Sequence, residues 1–358
     1  MKYDMVFISR SLTYEDLNSG GSSSSNKFES GVINEINKVR SVAVINISKK
    51  NEGEVGDDYF HFSNYMSFLF YWVKNHGVKS TVFVSTGYHL NLIATLLILK
   101  ALGGSSFSYI YDTHKSSIIT GKFKKLFFNF YYGLGFYFAR FIDGWLVINN
   151  KFYSQWNNKI DCLLTKVGVD NVYPNIATQK KTNLDCRKTI IMVGTLNHEN
   201  GFGHILELFR EDTYDFDLIV IGYGDLENEI SELSRNHGNI RFFRRMENSQ
   251  VIDQVKNAYC CLHLRDPDSV SCSFAFPSKL IEYLNYGNRV ASNDFPGLND
   301  DYRDCLELLD DFSTNALQSY FDNLKIERDI CFEKRIKLVS SHKWEVLVNE
   351  ILIFVESK

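Results

Sequence analysis

The sequence predicts an α/β protein with two doubly wound, parallel-sheet domains in series. The chain has 358 residues, more than one hydrophobic core usually organises, so two domains are expected. Short apolar, β-branched runs alternate with stretches of helical periodicity, which is typical of parallel sheets covered on both faces. This alternation is interrupted by one polar stretch near the middle of the chain and then restarts.

Composition and charge exclude several classes of protein. Hydrophobic residues make up 44% and charged residues 23%, as in globular proteins and not in disordered ones. A net charge of -4 gives no overall positive field, so no nucleic-acid partner is expected. Seven cysteines without a CxxC pair indicate reduced thiols and a cytoplasmic location. Because no signal-peptide pattern and no run of 18 apolar residues occurs, we expect neither export nor a membrane span.

The first predicted domain covers residues 1–172. Its first strand, Met5–Ile8, leads into a polar stretch at 11–30 that is predicted to be mostly a long loop, followed by a helix at 31–39. The later elements follow the same alternation. Strands are predicted at 41–47, 80–86, 107–114, 143–150 and 163–168, and helices at 91–103, 122–141 and 151–156.

The polar segment 173–187 has little periodicity and is predicted to be a linker. A second domain, 188–340, then repeats the alternation, and a last helix within 341–358 is expected to pack back onto the first domain. Two such domains place a ligand in the cleft between them. Strands are predicted at 188–196, 216–224, 239–246, 260–265 and 289–294, and helices at 204–211, 225–236, 251–258 and 278–287.

Residues 262–298 carry the most specific motif, in which Phe276–Tyr283 reads FPSKLIEY and is followed by Gly287 and a strand. This segment resembles family 4 glycosyltransferases, especially bacterial capsule and O-antigen transferases. The resemblance implies the GT-B fold and retaining transfer of a hexose from a nucleotide sugar, with UDP-sugar the expected donor. It also implies a glycan or polyprenyl-linked acceptor in cell-surface polysaccharide synthesis, and neither a cofactor nor a required metal.

The same resemblance assigns residues to a donor site. Glu282 would hold the ribose hydroxyls, because a carboxylate can accept two hydroxyl hydrogens at once. Ser278 and Lys279 at the helix start, and Arg265 after the preceding strand, would face the diphosphate. In the alternative interpretation, Lys279 and Glu282 form an ordinary i,i+3 surface pair worth roughly a few tenths of a kcal/mol.

Gly194 and Thr195, at the end of the first strand of the second domain, resemble the phosphate-facing loop of the same family. Many members carry an Arg and a Lys in this loop, where this chain has Thr195 and Asn200. The family also has a first Glu eight residues before the second, and Phe274 takes its place here. We therefore expect other groups to supply the missing charge and sugar contacts.

Three further patterns bear on the donor side. Gly222 and Gly224 form a GxG turn after a strand, which is compatible with nucleotide binding or with a plain strand-to-helix turn. Arg244 in the next strand is a candidate for the missing positive charge. The pair Asp266 and Asp268 imitates a metal-binding DxD motif, but we interpret it as a solvated loop and expect no metal ligands.

In the first domain, Gly20 and Gly21 resemble the loop that faces the donor phosphates and the acceptor in this fold. Simple flexibility of a Ser-rich loop is the alternative. His114 follows a strand end, and in family relatives a His at this place contacts the donor sugar. It would orient and stabilise the sugar and need not act as a base; the alternative is a structural or surface histidine.

Residues 121–141 mix three lysines and Arg140 with ten aromatic side chains. They predict either a core helix or an interfacial helix on anionic lipid at the inner face of the cell membrane. Two other functions remain open at this point. One is a nucleotide-sugar epimerase of the same fold, and the other is a non-catalytic nucleotide-sugar-binding subunit of a glycan assembly.

Overall fold

The computed structural model of the chain describes residues 3–19, 24–48, 53–56, 58–110, 121–173, 188–211, 214, 216–269, 278–298, 300–324 and 332–358. The chain divides into two compact units. Residues 1–170 and 342–358 form the first unit, and residues 171–341 form the second unit. The predicted linker lies outside the described residues apart from Tyr173.

The first unit contains a sheet of eight strands in the described part of the chain. They are β1 (Met5–Ser9), β2 (Val42–Ile47), β3 (Gly53–Gly56), β4 (Tyr59–Phe62), β5 (Val82–Thr86), β6 (Ser105–Ile110), β7 (Gly144–Val147) and β8 (Cys162–Leu164). Their order is β3-β4-β2-β1-β5-β6-β7-β8, and neighbours pair in parallel except that β3 runs antiparallel to β4. The strand order reverses between β1 and β5.

Seven helices belong to the described residues of the first unit. They are α1 (Tyr14–Ser19), α2 (Ser24–Ile36), α3 (Tyr65–Asn75), α4 (Leu90–Ala101), α5 (Lys122–Ala139), α6 (Asn150–Trp156) and the carboxyl-terminal α14 (Trp344–Glu356). Most connect successive parallel strands, as a doubly wound sheet requires.

The long loop predicted at 11–30 is wrong, because most of this stretch is helical. α1 starts at a reciprocal cap, in which the Asp16 N–H donates to Thr13 Oγ1 (3.1 Å) and the Thr13 N–H donates to Asp16 Oδ2 (3.3 Å). Asn26 Nδ2 then donates to Asp16 Oδ2 (2.8 Å) and ties α2 to α1. The signal was a Thr-x-x-Asp capping pattern, which is a helix start of the capping-box type.

Sequence analysis assigned no element to residues 53–75, where the structure has β3, β4 and α3. The strand β4 reads YFHF and is buried throughout, so it shows no alternation of polar and apolar residues. α3 begins where Asn64 Oδ1 accepts hydrogen bonds from the N–H groups of Met66 and Ser67. A polar Asn at this position is a typical amino-terminal helix cap.

The carboxyl-terminal helix α14 packs in the core of the first unit and contacts α2. Trp344, at its first position, fills a slot between two glycines: a Cβ at Gly31 would lie 2.3 Å from the indole ring, and one at Gly168 would lie 2.1 Å from it. The indole Nε1–H donates to Asp170 Oδ1 at 2.9 Å. Trp344 therefore anchors α14, because the slot leaves no room for side chains at either glycine.

The second unit contains a parallel sheet of six strands among its described residues. They are β9 (Lys188–Thr195), β10 (Phe216–Tyr223), β11 (Ile240–Phe243), β12 (Cys260–His263), β13 (Arg289–Asn293) and β14 (Glu307–Leu309). The helices of this unit are α7 (Phe202–Glu211), α8 (Glu227–Asn236), α9 (Asn248–Asn257), α10 (Ser278–Tyr286), α11 (Asp300–Arg303), α12 (Thr314–Asp322) and α13 (Phe332–Ser340). The strand order is β11-β10-β9-β12-β13-β14. The predicted class, with two doubly wound α/β units, is confirmed.

Replacing Trp344 with Ala should destabilise the first unit by about 3–5 kcal/mol, because it empties a buried aromatic site and removes the hydrogen bond to Asp170. Ile353→Ala on the same helix is the matched control, because Ile353 is 63% exposed. Urea denaturation followed by circular dichroism measures both. Equal unfolding midpoints for the two variants would contradict the anchoring role of Trp344.

Candidate functional site

The second sheet reverses its strand order between β9 and β12. From β9 the chain proceeds outward through β10 to β11, and from β12 it proceeds the other way through β13 to β14. At such a reversal the loops leave the two central strands in opposite directions, which opens a crevice at their carboxyl ends. The ends of β9 and β12 therefore mark the candidate site of this unit.

A tyrosine hydroxyl takes over the hydrogen bonding of β9 beyond its ladder with β12. That ladder covers Ile190 and Ile191. Two residues later, the Val193 N–H donates to the hydroxyl oxygen of Tyr283 at 2.7 Å. Tyr283 is buried in α10, and burial raises its pKa well above the usual value, so the hydroxyl stays neutral. This bond fixes α10 beside the end of β9.

The other end of α10 is held by a buried arginine from α13. Arg335 donates hydrogen bonds to the backbone carbonyls of Tyr283, Leu284, Gly287 and Asn288. Burial lowers the pKa of Arg335 to about 10, so it still carries its charge at neutral pH. A cation is favourable at the carboxyl end of a helix, and here it satisfies carbonyls that lack partners within the helix.

The first five residues of α10 include three predicted site residues. Lys279 Nζ lies 2.6 Å from Glu282 Oε2, and the two side chains are 28% and 15% exposed. The i,i+3 pair proposed as the alternative interpretation is thus present, and Ser278 begins the helix. A lysine in the first turn opposes the helix dipole, and the carboxylate offsets that cost. A carboxylate accepts several hydrogen bonds, so the pair is compatible with a ligand role for Glu282, which stays a prediction.

Arg265 lies just after β12 and is positioned by neutral amide groups. Its backbone N–H donates to Asn293 Oδ1 (2.9 Å), and its carbonyl accepts from Asn293 Nδ2 (2.7 Å). Its Nη1 donates to Asn200 Oδ1 at 2.7 Å. Within the described part of the chain, Arg265 forms no ion pair, and its buried Nε–H meets no acceptor. Because its charge is not neutralised and a buried N–H lacks an acceptor among these residues, the Arg265 guanidinium could bind an anion through charge-assisted hydrogen bonds.

Burial and then the charge of Arg265 lower the pKa of the adjacent His263 to about 3. The imidazole is therefore neutral at physiological pH and contacts Ser292 Oγ through Nδ1 (3.3 Å). The positive charge at this strand end consequently belongs to Arg265, and His263 adds none.

Asn200 links Arg265 to the end of β9. Its Nδ2 donates to the Thr195 carbonyl at 2.8 Å while its Oδ1 accepts from Arg265. Gly194 precedes this contact, and a Cβ placed there would meet no described atom within 4 Å. The structure thus brings Gly194, Thr195 and Arg265 together, and Asn200 positions the arginine beside the end of β9.

The GxG turn has a steric explanation. Gly222 pairs with Gly194 across β10 and β9, and a Cβ at Gly222 would lie 1.9 Å from the Gly194 carbonyl oxygen. A Cβ at Gly224 would lie 2.5 Å from the Leu196 carbonyl oxygen. Both glycines are therefore required by the close approach of neighbouring backbone, without any ligand.

Arg244 is not brought next to Arg265. It follows β11, which is three strands from β12 in the sheet order and so about 14 Å from it across the sheet. Its Nε pairs with Glu227 Oε1 at 2.9 Å, and its side chain is 73% exposed. Tyr223 was not predicted, although its strand β10 is next to β9 and Tyr223 pairs in register with Thr195. Its side chain is 54% exposed, and its ring centroid lies 5.2 Å from the guanidinium carbon of Arg245.

The Asp266–Asp268 segment forms a local turn. The Asp268 N–H donates to Asp266 Oδ1 (3.0 Å), and the Asp266 N–H donates to the Glu199 carbonyl (2.8 Å). No group of three or more His, Cys, Asp or Glu side chains that could hold a metal ion occurs in the ranges that the structure describes. The absence of a metal requirement stays a prediction.

In the first unit, the predicted residues Gly20, Gly21 and His114 lie outside the described residues. The carboxyl ends of β1 and β5 nevertheless meet at the reversal of strand order. Glu29 of α2 is buried there and hydrogen-bonds with Ser9 and Thr86, the last residues of these two strands. Desolvation by burial raises the pKa of Glu29 to about 7. Sequence analysis missed Glu29, because the stretch containing it was taken for a loop.

Residues 175–304, about a third of the chain, match the family described as glycosyl transferases group 1. No curated protein sequence matches the chain. Similar solved structures include sucrose-phosphate synthase (tll1590) from Thermosynechococcus elongatus, with a TM-score of 0.68 and 11% identity, covering 99% of this chain and 98% of that one.

Two further structures are similar over the full chain length. Anabaena Alr3699/HepE, in complex with UDP, has a TM-score of 0.64 and 10% identity, with 100% of both chains covered. WaaG, a glycosyltransferase involved in lipopolysaccharide biosynthesis, has a TM-score of 0.62 and 12% identity, with 99% of this chain and 100% of that one covered. At such identities the likeness concerns the fold, and the predicted GT-B fold is confirmed.

Glu29 should make the stability of the first unit fall as pH rises. The folded protein, with a Glu29 pKa of about 7 against 4.5 for the free side chain, binds the proton more tightly than the unfolded chain. Stability from this proton is fully present below pH 4.5 and is lost as pH rises through 7, by up to about 3 kcal/mol.

Denaturation of wild type and Glu29→Gln at pH 5 and pH 8 tests this effect. The variant should gain stability relative to wild type at the higher pH, because Gln carries no charge to desolvate. Glu35→Gln, on the same helix, is the control and should show no such gain. A constant difference between wild type and Glu29→Gln across the pH range would refute the assignment.

Proposed function

We propose that the chain is a glycosyltransferase whose second unit binds a nucleotide-sugar donor at the carboxyl ends of β9 and β12. One observation carries the proposal: Arg265 has no ion-pair partner among the described residues, and its buried Nε–H meets no acceptor there. It lies at the reversal of strand order, where open α/β sheets bind ligands. The match of residues 175–304 to glycosyl transferases group 1 supports it.

The donor diphosphate would be bound by Arg265 and the first turn of α10. An arginine can donate two parallel hydrogen bonds to phosphate oxygens. Ser278 and Lys279 begin a helix whose N–H groups carry partial positive charge. Gly194 and Thr195 offer backbone in a position without side-chain obstruction. These groups would replace the Arg and Lys that many relatives carry.

The nucleoside, attached to one end of the diphosphate, would contact Glu282 and Tyr223. Glu282 would accept hydrogen bonds from the ribose hydroxyls while keeping its pair with Lys279. The exposed ring of Tyr223 offers an apolar surface for the base. Anabaena Alr3699/HepE, which has a similar fold, is described in complex with UDP, and this supports UDP as the first nucleotide to test.

The reaction would transfer a hexose with retention of configuration. The bond between the sugar carbon and the leaving phosphate oxygen breaks, and the diphosphate leaves with the electron pair. The acceptor hydroxyl oxygen forms the new bond, and its proton passes to the leaving phosphate. His114, Gly20 and Gly21 are proposed from the family resemblance to contact the donor sugar and phosphates, and no metal or cofactor is proposed.

We extend the proposal to a glycan or lipid-linked acceptor in cell-surface polysaccharide synthesis at the cytoplasmic side of the membrane. The FPSKLIEY motif supports it by its resemblance to capsule and O-antigen transferases. The fold likeness to WaaG, described as acting in lipopolysaccharide biosynthesis, is consistent with it.

Calorimetric titration with UDP in EDTA tests the donor site. Arg265→Gln should weaken binding about 10- to 100-fold, because one or two charge-assisted hydrogen bonds to phosphate are lost. Glu282→Gln should weaken it about tenfold through the ribose. Arg235→Gln, an exposed arginine on α8 that contacts Ser231, is the matched control and should bind like wild type.

Lys279→Met separates the two interpretations of the ion pair. A purely structural pair would leave UDP affinity unchanged in both Lys279→Met and Glu282→Gln, and that result would contradict the donor-site assignment. Failure of wild type to bind UDP, GDP, ADP or CMP would contradict the proposed function. Binding without sugar transfer to any acceptor would favour the non-catalytic subunit, and conversion of donor without acceptor would favour the epimerase.

A further inference from the structure

The outward face of α5 is apolar along its whole length. Its spacing follows the i, i+3, i+4, i+7 pattern of an amphipathic helix, which normally turns such a stripe toward the core. Here the stripe faces solvent. The exposed apolar side chains are those of Phe123, Leu126, Phe127, Phe130, Tyr137 and Phe138 on α5 and of Phe141 just after it, and they are between 38% and 89% accessible. Together they are called the aromatic face of α5.

The opposite side of α5 attaches the helix to the first unit. Gly135 and Ala139 are buried, and a Cβ at Gly135 would lie 2.0 Å from the Tyr88 carbonyl oxygen. This contact lies in the second half of the helix. In the first half, residues 122–130 are all exposed apart from the half-buried Phe128. The helix is thus docked at one end, and the aromatic face is distinct from the docked side.

Positive charge accompanies the aromatic face. Lys122, Lys124 and Lys125 occupy the first turn of α5, where the helix dipole already places positive charge and makes lysine unfavourable. Residues 121–141 contain no Asp or Glu. No ion pair to these three lysines occurs among the described residues. Their placement costs helix stability, and an external anionic surface would offset this cost.

We propose that the aromatic face of α5 binds the surface of a lipid bilayer that contains anionic lipids. The phenylalanines would enter the boundary between head groups and acyl chains, and the lysines would bind lipid phosphates. The helix would lie in the plane of the membrane, since among the described residues no helix is long and apolar enough to span it. A groove of about 510 Å³ against Phe123, Lys124, Phe127, Phe128 and Tyr131 offers room for part of an acyl chain.

The charges favour a bilayer over a second copy of the chain. Two copies meeting through the aromatic face would each bring three lysines and no acidic residue from 121–141. A symmetric interface of this kind places like patches on each other and leaves their charges unpaired. An anionic lipid surface instead supplies both the apolar layer and the negative charge.

The docked side of α5, opposite the aromatic face, contacts the carboxyl edge of the first sheet. The Asn91 N–H, at the start of α4 and close after β5, donates to the Tyr131 hydroxyl at 3.4 Å. Tyr88, just after β5, packs edge-on against Tyr132. The bilayer would therefore lie near this edge, and under the proposed transferase function, on which this step rests, a lipid-linked acceptor would be met there.

Cosedimentation with vesicles tests the membrane surface. The vesicles are phosphatidylcholine alone or with about 30% phosphatidylglycerol, the anionic component that lysines should recognise. Wild type should bind the anionic vesicles and bind neutral ones far less. The triple variant Phe123→Ser, Phe127→Ser, Phe130→Ser should lose at least about tenfold in affinity for both.

Lysine and control variants complete the experiment. Replacing Lys122, Lys124 and Lys125 with Gln should lower affinity for anionic vesicles about 100-fold and hardly change affinity for neutral ones. Ile353→Ser is the matched control, because Ile353 lies on α14 and is as exposed as Phe130 (63% for each). This variant should bind vesicles like wild type. The aromatic and Ile353 variants should keep the wild-type unfolding midpoint, because the changed side chains are exposed. The lysine variant should have the same or a slightly higher midpoint, because it removes positive charge from the first turn of α5.

Three results would overturn the proposal. The first is a wild type that does not bind anionic vesicles, and the second is an aromatic variant that binds them as tightly as wild type does. The third is a wild-type dimer, detected by light scattering, that the aromatic substitutions dissociate in the absence of any vesicle binding, because this face would then be an interface between copies. UDP binding is measured separately. If wild type does not bind UDP but does bind anionic vesicles, the proposed function is contradicted and the proposed membrane surface is not.

Discussion

The divergence of β9 from β12 is the constraint on which the second unit depends. Past Ile191 the two strands no longer share a ladder, and the Val193 N–H needs another acceptor. The Tyr283 hydroxyl provides it, because an unpaired buried N–H is costly. The same bond fixes α10 beside the end of β9. One strand separation thus creates the crevice and sets the helix that faces it.

Neutral amides then make the crevice a site for an anion. Asn293 binds both backbone groups of Arg265, and Asn200 binds its guanidinium while also holding the Thr195 carbonyl. An acid in place of either asparagine would neutralise the arginine, whereas an amide orients it and leaves its charge. This arrangement presents positive charge at the ends of β9 and β12 without a charged residue at Thr195 or Asn200.

The first unit buries an ionisable side chain and exposes an apolar face, both contrary to the usual pattern. Glu29 is a carboxyl group buried between the ends of β1 and β5, where water would normally solvate it. The aromatic face of α5 is an apolar surface left in solvent, where packing would normally cover it. Glu29 lies at the carboxyl edge of the first sheet, and the docked side of α5 contacts the same edge.

Local pattern was sufficient for much of the fold. Alternating periodicity predicted both doubly wound sheets, and the FPSKLIEY motif predicted a helix starting at Ser278, where α10 does begin. The Thr-x-x-Asp cap of α1 is an equally local signal, but the polar composition around it led to the prediction of a loop. These features depend on neighbours in the chain, which is why periodicity and capping residues report them.

What the sequence by itself determined is therefore the class of fold, the order of elements and the residue types available at the strand ends. The tertiary structure alone decided which of them meet: Arg265 reaches Asn200 across 65 positions, and Val193 reaches Tyr283 across 90. It also decided that Glu29 is desolvated and that the aromatic stripe of α5 faces outward. Contact, burial and pKa depend on groups far apart in the chain, and periodicity carries no information about them.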